Sequence, residues 1–358
     1  MSYFRRNIQR MTGYVPGEQP QEKGFIKLNT NESPYPPSRK VLRAVRAAVN
    51  ADVRLYPDPM ANALRRRAAE LFGTRPECVL AGNGSDELLT IVVRAFAGPK
   101  RVVAYPTPTY SLYPTLAAIE DARTRPVPYP RDFSLPAGLF RKGAAVTIVA
   151  NPNSPTGTAA LPKELARLAR AVSGVLVIDE AYVDFADLDC MELARRHSNV
   201  IVLRTFSKSF SLCGLRLGLA VADEKLIEGM AKVKDSYNVN RLAIVAGAAA
   251  LDDIGSMRAN AEKIRRTRAR LTAALESRGW FVYPSQSNFI FARVPPPLSA
   301  RRIYQELKRR KILVRYFDAP GLDDGLRITI GSDREISALI RGLRSIEEQR
   351  ILTTDGHR

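Results

Sequence analysis

Histidine and cysteine are scarce: the 358 residues hold two histidines and three cysteines. Cys78, Cys190 and Cys213 are odd in number and far apart, which excludes a disulfide framework. No Cys-x-x-Cys pair offers a zinc or redox site. One of the two histidines, His357, lies in a polar tail, so a His-centred triad or a multi-histidine metal site is excluded as well. Long apolar runs are also missing, and none reaches the ~20 residues that a membrane span requires. The opening Met1-Ser2-Tyr3-Phe4-Arg5-Arg6 leads into polar sequence and lacks the apolar stretch of a signal peptide. A cytoplasmic protein is expected. Its chemistry has to come from Lys, Asp, Tyr, Asn or a bound cofactor.

Acidic residues are outnumbered, 36 against 55 basic, for a net charge of +19. That balance attracts anions: nucleic acid, phosphorylated metabolites, anionic cofactors. The densest basic run, Lys263 to Arg270, shares its stretch with Ile264, Leu271 and Leu275 at helical spacing. It reads as a solvated helix face rather than a nucleic-acid stripe.

Length and pattern suggest about two domains. The first 30 residues, with Gly13, Pro16, Gly17 and Pro20, read as an irregular arm. Helices are expected at 61–72 and 85–96, the second begun by Gly84-Ser85 with Asp86 and Glu87 in its first turn. Short Val- and Ile-rich strands are expected at 102–105, 146–150, 175–178 and 200–203, with helix-length spacers such as 163–172. This alternation predicts an α/β domain: a mainly parallel sheet flanked by helices. A long helix at 254–277 ends at Arg278-Gly279. Strands at 281–283, 288–294, 312–316 and 326–330, with helices at 299–310 and at the end, then predict a smaller α+β domain. The expected organisation is an arm (1–30), a large domain (31–255) and a small domain (256–358) joined by the N-terminal segment.

In open parallel sheets, ligands bind just beyond the carboxyl ends of the strands. Asn151 follows one strand, in Asn151-Pro152-Asn153-Ser154-Pro155-Thr156-Gly157. Asp179 follows the next, in Asp179-Glu180-Ala181-Tyr182. The strand after that runs into Arg204-Thr205-Phe206-Ser207-Lys208, followed by Gly214-Leu215-Arg216. Singly, these read as a turn, a helix cap and a solvated lysine. In order, at one end of one sheet, they read as a site.

This series resembles the fold-type I pyridoxal-phosphate aminotransferases, the aspartate aminotransferase superfamily, with histidinol-phosphate aminotransferases as the nearest subgroup. The likeness spans nearly the whole chain, from Leu28-Asn29-Thr30-Asn31-Glu32-Ser33-Pro34 and Tyr56-Pro57-Asp58-Pro59, through Gly82-Asn83-Gly84-Ser85-Asp86-Glu87, to Leu326-Arg327-Ile328-Thr329-Ile330-Gly331. The resemblance implies pyridoxal 5'-phosphate bound as a Schiff base to Lys208. It implies Asp179 at the pyridine nitrogen, Tyr182 and Asn151 at the phenolic oxygen, and Tyr110 against the ring face. Gly84, Ser85 and Asp86 at a helix start, with Thr205, Ser207 and Arg216, would hold the phosphate, the backbone rather than the Asp86 carboxylate doing so. Tyr56 would reach that phosphate from the neighbouring subunit of a homodimer. Arg327 would bind the substrate carboxylate, Arg315 the substrate phosphate, and the arm residue Tyr14 would close over the substrate. The implied reaction exchanges an amino group between histidinol phosphate and 2-oxoglutarate. Aromatic amino-acid aminotransferases and threonine-phosphate decarboxylases share these motifs. A basic nucleic-acid-binding protein on the same fold would have no use for a Schiff-base lysine.

Overall fold

The computed structural model describes residues 2–355; Met1 and residues 356–358, His357 among them, lie outside the described residues. Seven strands form one sheet, in the order Val79–Gly82, Gly218–Ala222, Val200–Thr205, Val175–Asp179, Val146–Ala150, Val102–Thr107, Arg123–Pro128. The last five are mutually parallel, and Gly218–Ala222 runs antiparallel to both its neighbours. Short runs of Val, Ile and Leu suit strands buried on both faces. Alternate side chains feed two cores. Leu176, Ile178, Val200 and Val202 pack with helices Asn62–Phe72, Pro162–Ala171 and Arg241–Leu251. Val177, Ile201 and Leu203 pack on the other face with Ser85–Phe96 and Leu112–Ile119.

A second, antiparallel sheet orders Arg315–Tyr316, Gly325–Thr329, Phe289–Arg293 and Phe281–Val282. Trp280, Ile290, Ile328 and Leu339 bury its inner face against helices Ile254–Glu276, Ala300–Arg309 and Asp333–Asp355.

The structure departs from the sequence reading in three places. The expected strand 312–316 is two strands: Ile312–Leu313 pairs in parallel with Ile26–Lys27, whereas Arg315–Tyr316 joins the antiparallel sheet. The arm is not wholly irregular, because it contributes Ile26–Lys27 and a helix, Arg6–Arg10. That helix is held by Asn7 Nδ2 on the Ala118 carbonyl at 2.9 Å and by Arg5 on the Ile119 carbonyl at 3.0 Å. Elements this short form only on tertiary partners, which a local pattern does not reveal. Finally, Val79–Gly82, Gly218–Ala222 and Arg123–Pro128 were not foreseen as strands. The last carries Pro126 and Pro128 and lies at the sheet edge, the place where proline is tolerated in a strand.

The parallel strands end together, with Ala150 opposite Asp179 and Asp179 opposite Leu203. Their following loops therefore converge. Among the described residues no helix is long and apolar enough to cross a membrane, and no cluster of three or more His, Cys, Asp or Glu is placed to hold a metal.

Candidate active site

A cavity of about 820 Å³ opens at these strand ends. Ser85, Asp86, Tyr110, Asp179, Tyr182, Thr205, Ser207, Lys208 and Arg216 line it from the large sheet; Tyr14, Arg315 and Arg327 line it from the opposite side. Twelve of the expected residues thus meet in one space. Gly84, Asn151 and Tyr56 do not line it.

Asp179, the last residue of its strand, is buried at the floor. Its Oδ2 accepts from Tyr113 Oη at 2.8 Å, and its Oδ1 accepts from the Ala181 N–H at 3.2 Å. Burial pushes its pKa up to about 6, against the pull of the Tyr113 hydrogen bond. Tyr113 was not foreseen as a site residue. It stands in the first turn of helix Leu112–Ile119, and nothing in the local pattern marks its reach to Asp179. Lys208 Nζ donates to the Thr30 carbonyl at 3.3 Å and lies 5.7 Å from the centre of the Tyr182 ring. Tyr182 Oη accepts from Asn31 Nδ2 at 3.0 Å. Tyr110 Oη donates to Asp86 Oδ1 at 3.2 Å, and its ring meets that of Tyr14 edge-on at 5.8 Å. Burial, and then the Asp86 charge, raise the Tyr110 phenol well above its ordinary range.

One end of the cavity is built for an anion. Helix Ser85–Phe96 points its N-terminus there, so unpaired N–H groups and the positive dipole end face the space. Gly84 precedes it at φ +87°, and a Cβ there would lie 2.7 Å from Arg216 Nη2. Gly84 therefore acts by having no side chain, below the guanidinium and not in the cavity wall. Arg216 Nη1 donates to Ser207 Oγ at 3.2 Å, and Nη2 pairs with Asp86 Oδ2 at 3.1 Å. Thr205 Oγ1 donates to Ser207 Oγ at 3.0 Å.

The expectation for Asn151 is corrected. Its Oδ1 accepts from the Ala160 N–H at 2.8 Å and its Nδ2 donates to the Ala160 carbonyl at 3.2 Å. The amide clips the two ends of its loop together and is spent there. From the same loop it is Ser154 that reaches the cavity, where its Oγ accepts from Arg327 Nη1 at 3.1 Å. Tyr56 stands apart, 79% exposed and stacked on Tyr237 at 4.4 Å.

Arg315 and Arg327 face each other in register across antiparallel strands, which puts both side chains on one sheet face. Arg327 also donates to the Asn29 carbonyl at 2.8 Å, while its buried Nε has no partner. Arg315 lies 5.3 Å over the Phe317 ring. Among the described residues neither guanidinium meets a carboxylate. Burial, with the Arg315 charge adding to it, lowers the pKa of Arg327. Like charges set opposite each other cost stability, and a visiting anion would relieve them.

Comparison with known proteins matches this geometry. The family model for aminotransferase class I and II covers residues 23–343. Histidinol-phosphate aminotransferase 1 of a Nostoc species is 46% identical over 351 residues, covering 98% of this chain and 99% of its own. Histidinol-phosphate aminotransferase of a Synechocystis species is 46% identical over 347 residues, covering 97% and 99%. A solved histidinol-phosphate aminotransferase from Sinorhizobium meliloti, in complex with pyridoxal-5'-phosphate, superposes with a TM-score of 0.86 at 27% identity, over 97% of this chain and 99% of its own. Buried carboxylate, lysine and anion-binding helix end thus occur together on a shared fold, and the chain belongs to the aminotransferase class I and II family.

Proposed function

We propose that the protein is a pyridoxal-phosphate-dependent aminotransferase that exchanges an amino group between histidinol phosphate and 2-oxoglutarate, a step of histidine biosynthesis. The donor set suits that cofactor. Asp179 would face the ring nitrogen, Tyr110 the ring face and Tyr182 the phenolic oxygen. Ser85 with the helix N-terminus, Thr205, Ser207 and Arg216 would hold the phosphate, and the missing Cβ at Gly84 supports this by keeping Arg216 close. Bound there, the cofactor supplies an electron sink that lets the substrate carbon release its proton.

The chain's own residues do the rest. Asp179, costly to ionise in its dry surroundings, would gain a cationic partner in a protonated ring nitrogen and so favour that proton. Lys208 Nζ would accept the substrate's α-proton and pass it on to the cofactor carbon rather than back to the substrate. Tyr182 would donate to the charge developing beside it. Arg315 and Arg327 orient the substrate.

The observation that carries the substrate assignment is this arginine pair without carboxylate partners. Histidinol phosphate has a phosphate and no carboxylate; glutamate has two carboxylates and no phosphate. One wall has to grip both in turn, and a planar guanidinium fork fits either. Tyr56, exposed beside Tyr237, reaches the phosphate end of a second subunit in a cytoplasmic homodimer with no nucleic-acid or membrane partner.

The test is a substrate comparison with 2-oxoglutarate as acceptor. kcat/KM for histidinol phosphate is expected to exceed that for phenylalanine or tyrosine at least about tenfold, ~1.4 kcal/mol. Equal turnover of an aromatic amino acid would reassign the substrate. Carbon dioxide released from threonine phosphate would make it a decarboxylase. For the shared site, mixing inactive Lys208→Ala with an impaired Tyr56→Phe protein should restore activity in hybrids.

A further inference from the structure

Asn31 sits in the left-handed region, at φ 58°, a conformation asparagine tolerates better than most side chains. It is buried, as is Thr329 at the end of the strand that carries Arg327. Hydrogen-bond logic fixes how its amide points. The Asn31 backbone N–H donates to Thr329 Oγ1 at 3.0 Å, so that oxygen is an acceptor there. Thr329 Oγ1 also lies 3.0 Å from the Asn31 side-chain amide, and with no other acceptor bonded to its single proton among the described residues, that proton goes to Asn31 Oδ1. With Oδ1 fixed as acceptor, the group facing Tyr182 Oη at 3.0 Å is Nδ2. An amide NH₂ can only donate. The Tyr182 oxygen therefore accepts from Asn31, and its one proton is free to point into the cavity.

The arrangement is clamped from two further sides. Asn288 Nδ2 donates to the Asn31 carbonyl at 3.0 Å, and the preceding residue, Thr30, offers its carbonyl to Lys208 Nζ. The same short segment thus touches the lysine, the tyrosine and the arginine-bearing strand.

We propose that Asn31 and Thr329 are positioning residues that force Tyr182 to act as a hydrogen-bond donor into the cavity. Given the function proposed above, on which this inference rests, the acceptor is the phenolic oxygen of bound pyridoxal phosphate. A donor at that oxygen stabilises the charge left there when the lysine-linked chromophore loses its proton. Losing the donor leaves the proton bound to a higher pH.

The experiment is a pH titration of the visible absorbance of the holoenzyme, without substrate. Thr329→Val removes the relaying hydroxyl at nearly constant shape, and Thr329→Ser restores it. Asn31→Asp keeps the tolerance for left-handed backbone but presents only acceptors, so it would claim the Tyr182 proton. Thr329→Val is expected to move the titration midpoint up by about half a unit to one unit, the worth of one hydrogen bond. Asn31→Asp should move it further, and Thr329→Ser should match the wild type. In a Tyr182→Phe background the Thr329→Val shift should vanish. A yellow Thr329→Val protein with the wild-type midpoint, or a shift that survives in Tyr182→Phe, overturns the proposal and leaves the proposed function standing. If Thr329→Val does not fold, Asn31→Asp read with and without Tyr182→Phe decides in the same way. A wild-type protein with no lysine-linked chromophore overturns both.

Discussion

The two walls of the cavity are built on opposite plans. On the large-sheet wall the charged and polar groups already have internal partners: Asp179 with Tyr113, Arg216 with Asp86 and Ser207, Tyr182 with Asn31. On the facing wall Arg315 and Arg327 stand opposite each other with no carboxylate between them among the described residues. A wall whose acidic and guanidinium side chains are already paired suits a resident group. A wall with unmatched charge suits a visitor that arrives with the opposite charge and leaves again.

The largest test of this contrast is Asp179→Asn. Removing the carboxylate while keeping its shape should slow proton abstraction by ~10³-fold, the scale of losing one preorganised electrostatic contact. The cofactor-free protein should respond in the opposite direction. Burial raises the Asp179 pKa from 3.8 to about 6, so the folded state binds the extra proton between those values. Stability therefore falls as pH rises through that window, by up to ~3 kcal/mol. In Asp179→Asn this share of the pH dependence should be lost, leaving that of buried Glu180, whose pKa is raised to about 7, and the cofactor-free variant should melt higher at pH 7. Thermal melts of both proteins at pH 4 and 7 check it.

Arg327→Ala comes next. Loss of a charge-assisted contact worth ~1.5–3 kcal/mol should lower kcat/KM for both half-reactions by roughly 10- to 150-fold. Because it relieves like-charge crowding, the variant should keep its fold, as circular dichroism would show. Arg315→Ala should act more narrowly. It should erode the preference for histidinol phosphate over phenylalanine, about tenfold in the intact protein, towards parity.

The smallest effects separate two residues of one loop. Ser154→Ala should raise KM a few-fold, one hydrogen bond of ~0.5–1.5 kcal/mol, with stability unchanged. Asn151→Ala should do the reverse, losing ~1–3 kcal/mol of stability by unclipping Ala160 while cofactor affinity, measured by Trp280 fluorescence, changes less. The opposite result would restore Asn151 to the site.

The contrast between the walls also explains what could be read in advance. Groups on the large-sheet wall sit within a few residues of strand ends, and Val146–Ala150 and helix Ser85–Phe96 fall where the hydrophobic pattern and the glycine-led helix start place them. That placement brought Lys208, Asp179 and Arg216 to one end of the sheet, while their roles came from the family resemblance. The facing wall joins Asn29, Ser154, Arg315 and Arg327, whose contacts span as many as 298 positions. No local pattern records such a meeting, so Ser154 was passed over and the split of 312–316 into two sheets was not seen. Tyr113 and Asn31 escaped for another reason: each acts on a neighbour through a hydrogen bond, and a hydrogen bond leaves no periodicity. Asn151 was misassigned because a strand-end position tells where a residue starts, not which way its side chain turns.

The central claim is that two adjacent strand ends bring Lys208 and Asp179 to a single pyridoxal phosphate. Borohydride reduction of the purified protein followed by peptide mass spectrometry tests it most directly. The account predicts one cofactor per chain, fixed to Lys208, with no adduct and at least ~10³-fold less turnover in Lys208→Ala. An adduct on another lysine, or none on a protein that still transaminates, would contradict it.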